Sequence, residues 1–471
     1  MSSSSPMIRR INKLPGSKNR FRIPKKGRIR FFLIIVFVIA AVRISESIFS
    51  SNPPSPPPEK QNSESLLSCM SKESEHATRI KLGKKLDFED VKTLVNTFGI
   101  GRLSPKKVFI NGKDTLHLSL SLDTALQSYA GRLLERYRPR YGAVAALDPV
   151  SGRVLCLASY THEGEKYIGN DLYLKSIFPA ASVFKTVTAA AAIEQANMNA
   201  RSTIAHAGRN HTLYKFQLEK VLERQREFTL ENAFAYSINP VFGRIALFNL
   251  EKGALNNYGN RFGFNSTVPF ELDNEINEMF SPDSDFAVAE LASGFNQHTS
   301  ISPLFGALIA SAVSEDGFIP RPTLIDSVWS SKRNTTLYVR GREVWRKALN
   351  RSTANELKRI MAKVPVYGTA RNSFRTLRRS TIYNVYEYGG KTGSVSKQGL
   401  GRVDWFVGFA RHPHDKERRI ALGVVTTHGA YWTVHSSYIA SELMLDFIRA
   451  KEKEVEIVAT AESDFKQRTS K

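Results

Sequence analysis

Three short runs of the chain carry side chains able to move an acyl group. Ser182-Val-Phe-Lys185 places a hydroxyl and an amine three residues apart, on one face of a helix. A serine hydroxyl is a poor nucleophile at neutral pH unless a base adjoins it. An ordinary lysine, with a pKa of about 10.4, is neutral in only about one molecule in a few thousand at pH 7. Lowering that pKa by about three units, through burial or a neighbouring cation, makes the free amine common enough to act as base. The S-x-x-K spacing alone is cheap, since Ser104, Ser394 and Ser463 also begin it. A serine at a helix start also serves simply as a cap. Context marks Ser182: Phe178-Pro179 breaks the chain just before it. The second run, Ser237-Ile-Asn239 in AYSINPVFG, reads as a helix end or turn; Ser17 and Ser50 begin the same triplet pattern. The third, Lys391-Thr-Gly393 in YGGKTGS, is the one K-T-G of the chain and sits on an expected strand. An edge-strand lysine beside a turn glycine would look the same.

These groups need a frame to hold them. SVFKTVTAAAAIEQ, from Ser182 to Gln195, reads as a buried helix whose Ala189–Ala192 stretch permits close packing. Lys107–Leu122 alternates around Asn111-Gly112, which predicts a hairpin. Asp123 then caps a helix through Tyr137, and Asp87 caps an amphipathic helix through Phe98. Gly142–Leu147 and Arg153–Ser159 form a second predicted hairpin, and strand patterns return near Tyr383–Tyr388, Asp404–Ala410 and Ile420–Thr426. A terminal helix is expected over Ser436–Ala450. Strands at both ends with helices between predict one sheet built from distant segments and a helical lobe in the middle. A cleft where the two meet is the natural place for a site.

The chain has 471 residues, 42% of them apolar and 24% charged, which excludes wholesale disorder. Its net charge of +23 asks for an anionic neighbour, and nucleic acid, anionic lipid and an acidic polymer all fit that need. Ten of the positive charges fall between Arg9 and Arg30, in a stretch without an acid. Phe31–Val42 is then an unbroken run of twelve apolar residues; extended to 29–49 it gives a transmembrane anchor with Arg43 and Glu46 at the far interface. A cleaved signal peptide is the other reading. In both, the basic side stays cytoplasmic and the bulk of the chain is exported. Five prolines between Pro53 and Pro58 make residues 50–64 an extended spacer. The expected division is therefore a cytoplasmic basic tail (1–28), a signal-anchor (29–49), a linker (50–64), a small N-terminal region (65–114), a main domain (115–450) and a polar tail (451–471). Cys69 and Cys156 form at most one bridge, or stay as two thiols.

Taken in order, Ser182-x-x-Lys185, Ser237-x-Asn239 and Lys391-Thr-Gly393 resemble the motif set of the penicillin-binding transpeptidase family, the serine acyltransferases that include the β-lactamases. GAVAALDPVSGRVLCLAS at 142–159 and FPAASVFKTVTAAAAIE at 178–194 resemble its first hairpin and its nucleophile helix. TLENAFAYSINPVFGRIA, ISPLFGALIAS, VYGTA and WFVGFA are similar to further family phrases, and the likeness runs from about Thr115 to Ala450. Ala180-Ala181 departs from the usual proline-glycine pair before the serine, and SGFNQ at 293–297 replaces a more glycine-rich loop. The region at 43–106 is much shorter than the pedestal of many family members, and no glycosyltransferase domain is expected.

The resemblance implies an α/β (α+β) fold: an antiparallel sheet flanked by helices plus an all-helical lobe, with an N-terminal transmembrane helix. It implies a peptidoglycan D,D-transpeptidase in which Ser182 attacks the penultimate D-Ala carbonyl, Lys185 is the base, and Ser237 relays a proton to the leaving amine. Asn239 would bond the substrate backbone, while Lys391 and Thr392 would recognise the terminal carboxylate. Lys391 would also be the second cation that lowers Lys185, and the helix N-terminus would add a positive field. Gly393 and Ser394 complete the substrate side, the amides of Ser182 and Ser394 forming an oxyanion hole. No metal or organic cofactor is implied. The implied partners are peptidoglycan stem peptides, β-lactam antibiotics, the membrane and a lipid-linked glycan polymerase, and not nucleic acid. The implied location is the inner (cytoplasmic) membrane, single-pass, with the catalytic domain on the periplasmic or cell-wall side. A D,D-carboxypeptidase or β-lactamase shares the fold, as does a non-catalytic penicillin sensor or scaffold. Glu271 and Glu275 lie where a β-lactamase would place its deacylating glutamate, although ELDNE does not match that loop.

Overall fold

The computed structural model describes residues 82–469. The basic tail, the expected signal-anchor, the proline-rich linker and Cys69 lie outside the described residues. Among the described residues, no helix is long and apolar enough to cross a membrane.

The chain opens with α1 (Phe88–Phe98), β1 (Lys106–Asn111), β2 (Asp114–Leu120), α2 (Thr124–Tyr137), β3 (Tyr141–Leu147) and β4 (Val154–Thr161). Next come α3 (Lys185–Gln195), α4 (Leu230–Ala235), α5 (Asn239–Phe248), α6 (Asp285–Ser293) and α7 (Pro303–Ser314). β5 (Ile325–Ser330), β6 (Thr335–Val339), α8 (Arg351–Val366), β7 (Glu387–Lys397), β8 (Gly401–Arg411), β9 (Arg419–His428) and α9 (Ser436–Thr469) complete the principal elements.

Local chemistry fixes several of these starts. Asp87 and Asp90 exchange side-chain and backbone bonds at 2.9 and 3.1 Å, a capping box that begins α1. The Asp123 carboxylate accepts from Leu126 N at 3.0 Å and begins α2. The hairpin at Asn111–Asp114 forms as the alternation predicts. Its second strand does not end the matter: Leu116, Leu118 and Leu120 are buried, and β2 pairs antiparallel with β5, some 200 residues on. The result is a four-stranded sheet ordered β1-β2-β5-β6. The division expected at 114/115 falls within this hairpin, so the small N-terminal region and the main domain share one sheet.

The larger sheet is antiparallel, ordered β7-β8-β9-β3-β4, and joins the two ends of the domain as expected. Every residue of β3 is buried, so both faces of this central strand are covered. The apolar helix α7 lies against β3, β8 and β9. It sits close because a Cβ on Gly423 would fall 2.2 Å from Pro303 O, and one on Gly306 would fall 2.9 Å from Val407 Cγ2. α9 packs on β8, β9 and α2. The helical part gathers α3 against α5, α6 and α8, and residues 185–192 of α3 are all buried.

Two expectations need correction. The strand pattern near Tyr383–Tyr388 resolves into a short turn at Thr381–Asn384, capped by Ser380, and β7 starts only at Glu387. The terminal helix does not stop near Ala450 but runs to Thr469. The extension KEKEVEIVATAE is rich in good helix formers and carries a Lys451–Glu454 pair at 2.8 Å.

Candidate active site

The buried indole of Trp405 on β8 donates from Nε1 to Pro179 O at 2.8 Å and meets Phe178 edge-on at 6.1 Å between centroids. This ties the sheet to the segment that leads into Ser182. A short 3-10 turn, Ala181–Phe184, follows, and α3 begins at Lys185. Ala181 takes a left-handed conformation, with φ at 48°. This is the residue that stands where the family resemblance leads one to expect glycine, and it keeps the turn at the expense of strain in its own backbone. Gly294, also left-handed at 65°, passes so close that a Cβ would lie 1.9 Å from Ala181 O.

Lys185 Nζ lies 2.8 Å from Ser182 Oγ, donates to Asn239 Oδ1 at 2.7 Å and also bonds Ser293 O. Ser237, left-handed at 56°, occupies the turn between α4 and α5, and its Oγ accepts from Lys391 Nζ at 3.0 Å. Lys391 donates its second bond to Thr392 O at 2.8 Å. Asn239 opens α5 and donates from Nδ2 to His211 O at 3.2 Å. β7 passes the serine closely: a Cβ on Gly393 would lie 3.2 Å from both Ala180 O and Ser182 N. Ser182, Ser237, Asn239, Thr392, Gly393 and Ser394 line one cleft of about 410 Å³. Lys185 and Lys391 stand behind it, both fully buried.

Burial sets the electrostatics. It drives Lys185 well below the ordinary lysine range, with the charge of Lys391 as a second, smaller cause. Lys391 is pushed down to about 7 by burial alone. A neutral amine 2.8 Å from a hydroxyl can accept its proton, the arrangement needed for nucleophilic catalysis.

All eight site residues singled out from the sequence meet here. His211, Asp404, Trp432 and His435, which carry no recognisable signal in the sequence, also line the cleft, as does Thr369. Thr369, in the VYGTA phrase, shares a 2.5 Å hydrogen bond with Thr392. Asp404 lies opposite Ser394 in the β7–β8 register and accepts from Ser436 N at 2.7 Å. Its buried carboxylate is raised by desolvation, which the His435 ring and the Ser436 amide oppose. Neither candidate deacylating glutamate lines the cleft. Glu271 is fully buried and accepts from Thr323 Oγ1 at 2.6 Å and Leu324 N at 3.1 Å. Glu275 accepts from Ser176 N at 2.8 Å and pairs with Lys175 at 3.4 Å. Cys156 is a buried free thiol in β4, raised far above the ordinary range by its burial.

The model of the penicillin binding protein transpeptidase domain matches residues 142–446. Stage V sporulation protein D of Bacillus subtilis is 24% identical over 325 residues, covering 63% of this chain and 48% of that protein. The peptidoglycan D,D-transpeptidase PbpA of Mycobacterium tuberculosis is 25% identical over 222 residues, covering 41% of this chain and 44% of that protein. The chain thus spans about half the length of the curated relatives it matches. Among solved structures, the D,D-transpeptidase domain of a peptidoglycan glycosyltransferase from Eggerthella lenta superposes with a TM-score of 0.58 at 20% identity, over 71% of this chain and 83% of that one. PBPA from M. tuberculosis gives 0.57 at 16% identity, over 78% and 87%. With the family match spanning most of the described residues and the sheet, helices and cleft arranged as above, the chain belongs to the penicillin-binding protein transpeptidase family.

Proposed function

We propose that the chain is a serine D,D-transpeptidase that cross-links peptidoglycan stem peptides. The observation that carries this is the 2.8 Å contact between Ser182 Oγ and a fully buried Lys185 amine held far below its ordinary pKa. Ser182 Oγ attacks the carbonyl carbon of the donor's penultimate D-Ala while its proton passes to Lys185 Nζ. The negative oxygen that forms is stabilised by the amides of Ser182 and Ser394, where one donor is worth about 3–4 kcal/mol. The C–N bond then breaks; Ser237, bonded to Lys391, relays the proton held by Lys185 to the leaving D-Ala amine, and Lys185 is neutral again. The Ser182 ester is attacked by the amine of a second stem peptide, which loses a proton to Lys185. The ester C–O bond breaks, Lys185 returns that proton to Ser182 Oγ, and an amide cross-link is left. β-Lactams enter as donors whose leaving group stays attached and blocks the acceptor.

The positions of Glu271 and Glu275, outside the cleft, support transfer over β-lactamase hydrolysis, since neither can activate water at Ser182. Peptide mapping after penicillin treatment tests the reading: the adduct is expected on Ser182. An adduct on Ser104 or Ser394, or none, removes it. The proposed setting is a single membrane anchor at 29–49 with the domain outside, supplied with glycan by a lipid-linked polymerase. A reporter fused after Lys471 is expected to be active only in an exported compartment, and full-length protein in the soluble cytosol would contradict this.

A further inference from the structure

A donor peptide that ends in a carboxylate must bring that charge out of water into the cleft, which needs a compensating cation or several donors. The family resemblance assigns the cation to Lys391, but it is fully buried, with two of its donors on Ser237 Oγ and Thr392 O. Lys185 is likewise buried and bonds Ser182, Asn239 and Ser293. Neither lysine lines the cleft. Of the residues that do line it, two can carry positive charge, His211 and His435. Burial lowers His211, with the two lysines adding to the effect, so this ring is neutral at physiological pH.

His435 is built differently. Its side chain is 61% exposed at the cleft, with Nδ1 3.7 Å from Asp404 Oδ2. Its ring lies 4.5 Å from that of Trp432, which in turn stacks on His428 at 4.9 Å. Asp404 stands opposite Ser394 on β7 and opposite Thr426 on β9, which places its carboxylate beside the K-T-G strand. We infer that His435, oriented by Asp404 and Trp432, is the specificity-determining cation that the cleft offers, alongside Thr392 and Ser394, to the C-terminal carboxylate of the acyl donor. This rests on the transpeptidase reading above.

The groups around the ring agree with this role. Asp404, on β8, raises His435 above its ordinary value. Arg402, also on β8, sits over the Trp432 ring at 5.4 Å, and His428, on β9, is pushed down to about 4 by burial first and then by His435 and Arg402. His428 therefore stays neutral, and among the described residues Asp404 is the anion that faces His435. The charge on the ring is present below its raised pKa and is lost as pH rises through it.

The test uses the full chain and two thioester acyl donors that differ only at the C-terminus, one a free carboxylate and one a carboxamide. The rate of Ser182 acylation is read by intact-protein mass spectrometry across pH. His435→Gln is expected to slow the carboxylate donor about 10- to 100-fold, the worth of one charge-assisted hydrogen bond, and to leave the carboxamide donor unchanged. His435→Arg is expected to restore the preference and extend it to higher pH. Asp404→Asn is expected to move the alkaline decline of the carboxylate donor to lower pH. Equal slowing of both donors by His435→Gln, or no slowing, overturns the inference and leaves the transpeptidase reading standing. Failure of the wild-type chain to take an acyl group on Ser182 from either donor removes the reading and the inference together.

Discussion

Lys391 donates to Ser237 Oγ at 3.0 Å across a sequence separation of 154 residues, which locks strand β7 onto the turn between α4 and α5. Both residues are buried, so the ammonium acts within the protein and not on solvent.

Because the charge of Lys391 is one cause of the lowered Lys185, removing it should let the base rise toward its ordinary value. With Lys391→Met, the acid limb of the acylation rate is expected to move up by about one pH unit or more, and acylation at pH 7 to fall at least about tenfold. Stopped-flow β-lactam binding across pH measures this. An acid limb in the wild-type position would show that Lys391 does not tune Lys185.

The same substitution should stabilise the fold. Lys391 titrates at about 7 when folded and at about 10.4 in an unfolded chain. Below about pH 10 the unfolded state binds more protons, so the penalty on folding grows as pH falls from about 10 to about 7. Lys391→Met is expected to gain about 1–3 kcal/mol at pH 7. The gain should shrink toward pH 10, as read by melting temperatures at both values.

Ala181 pays for its left-handed backbone in steric strain of about 1–2 kcal/mol, partly offset by the smaller entropy loss of alanine on folding. Ala181→Gly is expected to stabilise by about 0.5–1 kcal/mol in urea unfolding, with Ser182 still acylated. A destabilised variant would show that the methyl group packs favourably enough to outweigh the strain.

Trp405→Phe leaves Pro179 O without its indole donor and opens space beside Phe178. A loss of about 2–4 kcal/mol is expected, with slower acylation because the segment before Ser182 loses its tether. Normal acylation in a destabilised variant would uncouple the tether from the nucleophile.

Glu271 holds the Thr323–Ile325 backbone together through Thr323 Oγ1, Leu324 N and Ile325 N. Glu271→Gln is expected to cost about 1–3 kcal/mol of stability while the lifetime of the penicilloyl adduct stays unchanged. A lengthened adduct lifetime would instead give Glu271 a part in deacylation.

The reacting groups were legible because each lies in a short run whose spacing is set by one helix turn or one strand. Ser182 and Lys185 share a turn of helix, and Lys391, Thr392 and Gly393 are consecutive. His435 and Asp404 meet through the register of β8 with the start of α9, and no local pattern encodes a contact between residues 31 apart. His211 is likewise brought in by the loop that packs on Asn239. The hairpin β1–β2 could be read from its alternation, but its pairing with β5 could not, since a period of two says which residues are buried and not what covers them. α9 runs beyond Ala450 because the Lys, Glu and Ala residues of KEKEVEIVATAE sustain a solvated helix past the part that packs on the sheet.

The three segments that meet at the cleft come from positions 182, 237 and 391, so no fragment that lacks any one of them holds the complete site. Their encounter closes loops of 55 and 154 residues, and a molecule that has not completed β7 and α5 together has no paired lysines. On the proposed chemistry, a fluorescent β-lactam therefore counts native molecules one by one. Its labelling stoichiometry gives the fraction of any preparation that has finished folding, a quantity that absorbance or antibody detection cannot supply.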